Sequence, residues 1–383
     1  MNQKKKKIVI IGPAYPYRGG NSLFVSFVYD ALKENFDIKI YNYKLLYPSL
    51  LFPGTTQFDN SNVLIKKAQS ERIINSINPF NWIAAAFKLK NEKADLIVFD
   101  WWHPFFGFCH YTISALIKKY YKGKILFITE NVVSHEGNFI DRSLTKLGLT
   151  NASFFMALSE VVGKELRTIS KDKKIFRSEL PVYDCYQQDK LTSTKNELGF
   201  SENDKVLLFF GYVRKYKGLD ILLDAFPKIS EVFPGIKLLV VGEFYDDPEV
   251  YLNKIKSNKM EKDVVLINKF IPNEEVGKYY SATDVVILPY RSATQSGILN
   301  VAYGFLKPVI VTKVGGLSEF VNERKTGLVI EPNSTEAIVE GVKQFYSLRD
   351  KINFEQNITE LVSSNKFENL PHLFEEILQE SIK

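Results

Sequence analysis

The sequence predicts an α/β protein made of two Rossmann-like domains, each with a parallel sheet. Three observations carry that expectation. Short apolar, β-rich runs alternate with longer helical stretches in βαβα order, which implies parallel strands with helices on both faces. The whole pattern then restarts after a polar stretch, QQDKLTSTKNELGFSENDK (187–205). At 383 residues the chain is too long for one ordinary α/β domain and suits two of about 150–200 residues each.

In chain order, KIVIIG (7–12), DIKIYNY (37–43), DLIVFD (95–100), KILFIT (124–129) and SFFMAL (153–158) read as the first set of strands. Several are apolar throughout, as strands buried on both faces of a parallel sheet must be. Helical stretches such as Ser22–Glu34 and Tyr111–Tyr121 lie between them. The second set is KVLLFFG (205–211), KLLVVGE (237–243), VVLINKF (264–270), DVVILPY (284–290) and KPVIVTK (307–313). KIVIIG and KVLLFFG both run from a lysine through an apolar strand to a glycine, an echo that suggests two domains of one type. The expected organisation is a first domain over 1–186, a linker near 186–202, a second domain over 203–365 and a closing segment over 366–383. Within that segment Phe367–Ile382 reads as a helix whose packing the sequence leaves open.

Composition narrows the class. Hydrophobic residues make up 45% and charged residues 25%, and 29 Phe with 20 Tyr exclude a disordered chain. Two cysteines, Cys109 and Cys185, are too few for a disulfide framework and fit a reducing, cytoplasmic compartment. No run of about 18 apolar residues predicts a membrane span. The opening KKKKIVIIGPAYP reads as a charged leader and a buried strand, because Pro13 and Pro16 end the apolar run too early for a signal peptide. A net charge of +6 can favour anionic partners such as nucleoside diphosphates or a lipid surface, and no zinc spacing, RNP motif or basic DNA-binding helix points to nucleic acid.

In doubly wound sheets, ligands bind beyond the carboxyl ends of the strands, where loops meet helix N-termini. Two glycine loops fall there. GPAYPYRGGNS (12–22) holds Gly19 and Gly20, which either let a ligand approach the backbone or make a tight turn. GYVRKYKGLD (211–220) holds Arg214 and Lys217 at a glycine turn entering a helix. Two cations there suit a diphosphate, whose charge builds as a nucleotide leaves; the alternative is two solvated charges on a loop. A third segment, DVVILPYRSATQSGILNVAYGFLKPVIVTKVGGLSE (284–319), places Thr294, Gln295 and Ser296 before a helix expected to begin near Ile298. Hydrogen-bonding side chains and a helix N-terminus together can hold a phosphate or a sugar hydroxyl.

On these stretches the C-terminal half resembles the donor-binding domain of the GT-B glycosyltransferases, in particular glycosyltransferase family 4. FGYVRKYKGLDILLDAF, VVGE, ATDVVILPY, QSGILNVAYGFLKPVIVTKVGGLSEFV and KTGLVIEP occur in the family's order. GPAYPYRGGNS, DLIVFDWWHPFF and TENVVSHEG make the N-terminal half compatible. The resemblance implies a GT-B fold with sheets facing across an active-site cleft, a UDP- or GDP-linked sugar as co-substrate, and transfer with retention. It makes Arg214 and Lys217 the pair that grips the donor diphosphate, with Ser296 and Gly297 beside it. Glu243 in VVGE and Glu319 after the GG loop complete the donor side. The family's two spaced glutamates fall on Ala293 and Val301, so those carboxylates are missing here, and Thr294, Gln295 or Asn300 are the available substitutes.

The resemblance also singles out His103 in DWWHPFFG, facing the donor sugar, although the same residue in that position can simply cap the following helix. Asp100, Glu130, His135 and Glu136 lie in post-strand loops and could receive the acceptor's proton, or be ordinary charged turns. His110 reads as structural, and His372 has no assigned role. NPFNWIAAAFKLK (78–90) mixes aromatics with lysines, which fits either helix-on-sheet packing or peripheral contact with a membrane surface. The expected function is transfer of a sugar to a glycan or lipid-linked acceptor in polysaccharide, lipopolysaccharide or other glycoconjugate synthesis, with no metal and no further cofactor. The alternatives are a sugar-nucleotide epimerase and a non-catalytic nucleotide-sugar-binding protein.

Overall fold

The predicted apolar runs all lie in sheets, and the chain forms two compact units. The structure, a computed structural model, describes residues 4–52, 54–121, 123–132, 137, 139–186 and 194–382. One unit comprises Met1–Asp59, Lys66–Pro181 and Lys366–Lys383; the other comprises Asn60–Ile65 and Val182–Asn365.

The first unit runs β1 (Lys7–Ile11), α1 (Gly20–Leu32), β2 (Asp37–Leu45), β3 (Ser70–Asn75), α2 (Pro79–Asn91), β4 (Leu96–Trp101), α3 (Gly107–Tyr120), β5 (Lys124–Thr129), α4 (Phe139–Leu149), β6 (Phe154–Ala157), α5 (Glu160–Ile169) and β7 (Ile175–Arg177). Its parallel sheet has the order β3-β2-β1-β4-β5-β6-β7. The central strands β4 and β6 are buried at every residue, which is why they read as unbroken apolar runs.

The second unit runs α6 (Thr194–Glu197), β8 (Val206–Phe210), α7 (Leu219–Val232), β9 (Lys237–Val241), α8 (Pro248–Ser257), β10 (Val264–Ile267), α9 (Asn273–Ser281), β11 (Val285–Leu288), α10 (Gly297–Gly304), β12 (Val309–Thr312), β13 (Gly327–Ile330), α11 (Thr335–Leu348) and α12 (Phe354–Ser363). Its parallel sheet has the order β10-β9-β8-β11-β12-β13. Counted within its own unit, each sheet contains the order 3-2-1-4-5-6, so the echo between KIVIIG and KVLLFFG marks the equivalent first strand of two doubly wound sheets.

Three features depart from the sequence reading or go beyond it. The edge strands β3, β7 and β13 were not among the predicted runs; each has one neighbour and buries only part of its length. The expected linker near 186–202 includes 187–193, which lie outside the described residues, and its described remainder carries the short helix α6. The closing segment forms α13 (Leu370–Gln379) after a short helical turn and packs in the first unit. There Phe367 meets Phe24 and Phe27 with ring centroids 6.4 Å apart, and Phe374 meets Phe36 at 6.5 Å.

The excursion between β2 and β3 also contributes to the second unit. Residues 60–65 lie on the N-terminus of α9, where Glu274 accepts from the backbone and side chain of Asn62 (3.1 and 3.0 Å) and from the backbone of Val63 (3.3 Å). Asn273 fixes the same strap by donating to Ser61 Oγ and to the Val63 carbonyl.

Candidate functional site

In the second unit, the site grows from the loop after β8. That loop first continues the sheet: Val213 N–H donates to the Glu243 carbonyl (2.9 Å) and Tyr245 N–H donates to the Val213 carbonyl (3.0 Å). It then turns through Lys215–Lys217 and enters α7 at Gly218, whose φ of 70° is the left-handed region that favours glycine. A β-carbon on Gly218 would also stand 2.0 Å from the Pro289 carbonyl oxygen. The loop is thereby pressed onto the segment that leaves β11.

Arg291 locks this contact. Its guanidinium donates to both oxygens of Asp220 (2.8 and 2.7 Å) and to the Lys215 carbonyl, and its backbone N–H donates to the Tyr216 carbonyl. Such a bidentate fork fixes direction as well as distance. The fork holds the turn that carries Lys217. Neither Asp220 nor Arg291 stood out in the sequence; an acidic residue in a helix's first turn, with an arginine just after a strand, is the only signal they leave.

Lys217 is 7% exposed, and its Nζ lies 5.5 Å from the Tyr290 ring centre. A β-carbon built on Gly211 would lie 3.3 Å from that Nζ and 3.0 Å from Ile298 Cδ1, so the ammonium sits close to the first turn of α10. Among the described residues no carboxylate neutralises it. Burial, reinforced by the charge of Arg214, pushes its pKa down to about 7. Arg214 itself is half-buried, with its guanidinium 4.9 Å from the Tyr245 ring centre.

The SATQSG turn meets the same place. Ser296 caps α10, its Oγ accepting from Leu299 N–H at 3.4 Å, so the helix begins at Gly297, beside the expected Ile298. Thr294 and Ser296 are buried and Gln295 is half-buried. The Ala293 carbonyl accepts from Gly316 N–H, which ties the turn to the GG loop. Beyond that loop Glu319 is exposed on a short helical turn, whereas Glu243 is buried beside the strand extension at Val213. Ala293 and Val301, where the family resemblance looks for glutamates, are buried apolar residues, and Asn300 donates to the Ser296 carbonyl from the next position. Tyr183, also absent from the sequence reading, lies against Gly297: a β-carbon there would be 3.2 Å from Tyr183 Cε2.

The first unit brings a different set together at its own switch point. Asp100 is the last residue but one of β4, and Glu130 follows β5 with its N–H donating to the Trp101 carbonyl. Asn21, in the first turn of α1, donates to Glu130 Oε1 at 2.8 Å. Both carboxyls are buried. Burial and the neighbouring Glu130 charge push the pKa of Asp100 well above its ordinary value; burial lifts Glu130 to about 7 against the hydrogen bonds from Asn21 and Asp100. Gly19 precedes α1 with a φ of 100°, the tight-turn role, while a β-carbon on Gly20 would meet nothing within 4 Å, so that face is open. His103 takes the capping role: Nδ1 accepts from Phe105 N–H at 3.1 Å. His110 is structural. It is buried among aromatic rings with Nε2 2.8 Å from the Tyr43 hydroxyl, and burial pushes its pKa down to about 3. His135 and Glu136 lie outside the described residues. His372 is exposed on α13.

Residues 192–360 match the family described as Glycosyl transferases group 1. The second unit is a group 1 glycosyl transferase domain. Over 204 residues the chain is 27% identical to the lipopolysaccharide 1,2-N-acetylglucosaminetransferase of Salmonella typhimurium, a likeness covering 50% of this chain and 53% of that one. A longer likeness, 23% identity over 345 residues, joins it to an uncharacterised glycosyltransferase of Methanocaldococcus jannaschii and covers 88% of this chain and 87% of that protein. Against the first curated relatives the chain spans only 31% to 53% of their length. Among solved structures, the Anabaena protein HepE in complex with UDP superposes with a TM-score of 0.73 at 14% identity, over 98% of this chain and 99% of that one. The fold is thus GT-B, and the glycosyl transferase domain contains Arg214, Lys217, Glu243, Glu319 and the SATQSG turn. Among the described residues no helix is long and apolar enough to cross a membrane.

Proposed function

We propose that the chain transfers a glycosyl residue from a UDP- or GDP-linked sugar to a hydroxyl of a glycan or lipid-linked acceptor, with retention, in the cytoplasm. The observation that carries this reading is the buried, unneutralised ammonium of Lys217 beside Arg214 and the start of α10. A buried cation without a counter-ion is costly, and a diphosphate removes that cost. It would accept from Lys217, Arg214 and the N–H groups of the helix's first turn, and the same groups would stabilise the charge that builds as the nucleotide leaves. Two cations and a helix N-terminus provide this countercharge without a metal ion. The printed names of the relatives support the choice of reaction, and the UDP held by a structural neighbour supports the choice of donor.

On the acceptor side, the Asp100–Glu130 pair lies at the carboxyl ends of β4 and β5, and Glu130 is the member able to exchange a proton near neutrality. Retention without a covalent intermediate needs no protein nucleophile, so Asp100 and Glu130 are assigned to positioning and proton transfer rather than to attack. One observation favours a second reading, a non-catalytic nucleotide-sugar-binding protein: buried apolar Ala293 and Val301 supply no carboxylate for the donor sugar. The relatives named above do not favour the epimerase alternative.

One assay separates the three. Purified protein is incubated with a panel of radiolabelled UDP- and GDP-sugars and a lipid or glycan acceptor extract. Label transferred to the extract supports the transferase. Donor sugar converted without acceptor supports the epimerase, and saturable binding without turnover supports the binding protein. Absence of any UDP or GDP binding overturns the donor site itself.

A further inference from the structure

The helix α2, formed by NPFNWIAAAFKLK, has apolar residues on two opposite faces. Successive residues of a helix are turned by about 100°. Trp82, Ala85, Ala86 and Leu89 therefore share one side, and all four are buried in the core of the first unit. Phe80, Ile83, Ala84 and Phe87 share the opposite side, and all four are exposed. Phe80 is 83% exposed and Phe87 50%. Lys88 and Lys90 fall on the two flanks between these faces. An amphipathic helix needs one apolar face to pack; this one has a second, rimmed by cations.

The neighbouring helix α3 extends the patch. Its Tyr120, 47% exposed, stacks on Phe87 with ring centroids 6.3 Å apart. Lys90 Nζ and Lys119 Nζ sit 4.7 and 5.3 Å from the Tyr120 ring centre. Neither α2 nor α3 contains an acidic residue, while together they carry Lys88, Lys90, Lys118 and Lys119. Lys88 pairs with Glu71, and among the described residues Lys90, Lys118 and Lys119 have no carboxylate partner.

We infer that this face of the first unit docks on an anionic lipid surface. Aromatic and aliphatic side chains would enter the headgroup boundary, while the three unpaired lysines meet the negative headgroups around them. Charge decides between this occupant and a second copy of the chain. A two-fold contact would set the lysine rim against itself, whereas anionic lipid complements it. The inference does not rest on the transferase reading, since it uses neither the donor site nor the buried carboxyls.

The test is co-sedimentation of the full chain with phosphatidylcholine vesicles, with and without phosphatidylglycerol, across a salt series. Binding is expected to require phosphatidylglycerol and to weaken with salt. The double variant Phe80→Ser/Phe87→Ser, both exposed and so compatible with folding, should lower binding by at least about tenfold. Removing Lys90, Lys118 and Lys119 one at a time should lower it by roughly fivefold each. Circular dichroism, measured in parallel, should not change in any of these variants and reports that the protein is folded. Absence of binding to phosphatidylglycerol vesicles overturns the proposal, as does equal binding by the double-serine variant. A dimer in solution that the same variant dissociates also overturns it, in favour of self-association.

Discussion

At the switch point of each sheet a glycine loop follows the first strand of its unit, Gly12 after β1 and Gly211 after β8, and a fourth strand ends beside it. The backbones are laid out alike, yet the side chains gathered there have opposite character. The glycosyl transferase domain holds a buried cation, Lys217, with Arg214 nearby. The first unit holds a buried pair of carboxyls, Asp100 and Glu130, under Asn21. The fold thus decides where a ligand can approach, and the burial of particular charges decides which ligand. A buried ammonium calls for an anion; a buried carboxyl with a raised pKa can give or take a proton.

The largest expected effect breaks the comparison on the cationic side. Lys217→Ala should lower UDP or GDP affinity by about a hundredfold or more, and Arg214→Ala by about tenfold, with circular dichroism unchanged. Isothermal titration calorimetry measures both; unchanged affinity in the two variants would remove the diphosphate assignment. Lys217→Met should abolish binding while raising the melting temperature of the ligand-free chain, because it deletes a buried unpaired charge of similar shape.

Next in size is a pH dependence whose sign differs between the two sites. Glu130 binds protons more tightly when folded, with its pKa raised from 4.5 to about 7. Its contribution to stability is fully present below the unfolded value and is lost as pH rises through about 7, on the order of 3 kcal/mol. Lys217 behaves in reverse. Its folded pKa of about 7 lies below the unfolded 10.5, so stability is regained as pH rises through that interval. The ligand-free chain should therefore be least stable near neutrality. Urea titrations across pH test this, and Glu130→Gln should shrink the acidic limb and leave the alkaline one, with buried Asp100 supplying what remains of the former. The same Lys217 shift predicts proton uptake on donor binding, so UDP affinity should fall up to about tenfold per unit of pH above neutrality.

A smaller effect should come from the clamp. Arg291→Lys keeps the charge but loses the fork on Asp220, and should weaken UDP binding by roughly fivefold at a stability cost of about 1 kcal/mol. The smallest should come from Glu274→Ala, which removes three of the hydrogen bonds between the 60–65 strap and α9 and leaves the two from Asn273. Hydrogen exchange at Asn62 and Val63 should rise, with less than about 1 kcal/mol lost in global stability.

Much of this layout was legible in the sequence. The central strands announced themselves because burial on both faces demands unbroken apolar runs, as in DLIVFD and DVVILPY. Glycine loops marked the strand-to-helix turns, and Arg214, Lys217 and Ser296 were visible because each lies within a few residues of such a turn. Of the four edge strands only β10, within VVLINKF, was legible; SERIIN and IFR bury too little to lose their polar residues. His103 carried two readings, and only the 3.1 Å contact to Phe105 showed the cap.

By itself the sequence determined the class of fold, the twofold repetition of the sheet pattern, and the identities of the charges near each loop, all of which depend on neighbours a few residues apart. Tertiary structure alone decided which distant groups share an environment. Asn21 meets Glu130 across 109 positions of sequence and Arg291 meets Asp220 across 71. It decided too that, among the described residues, Lys217 is buried without a counter-ion and α2 has a second apolar face left uncovered. The reason is physical: strand order and helix packing set these distances and burials, and local periodicity carries no record of which strand will lie beside which.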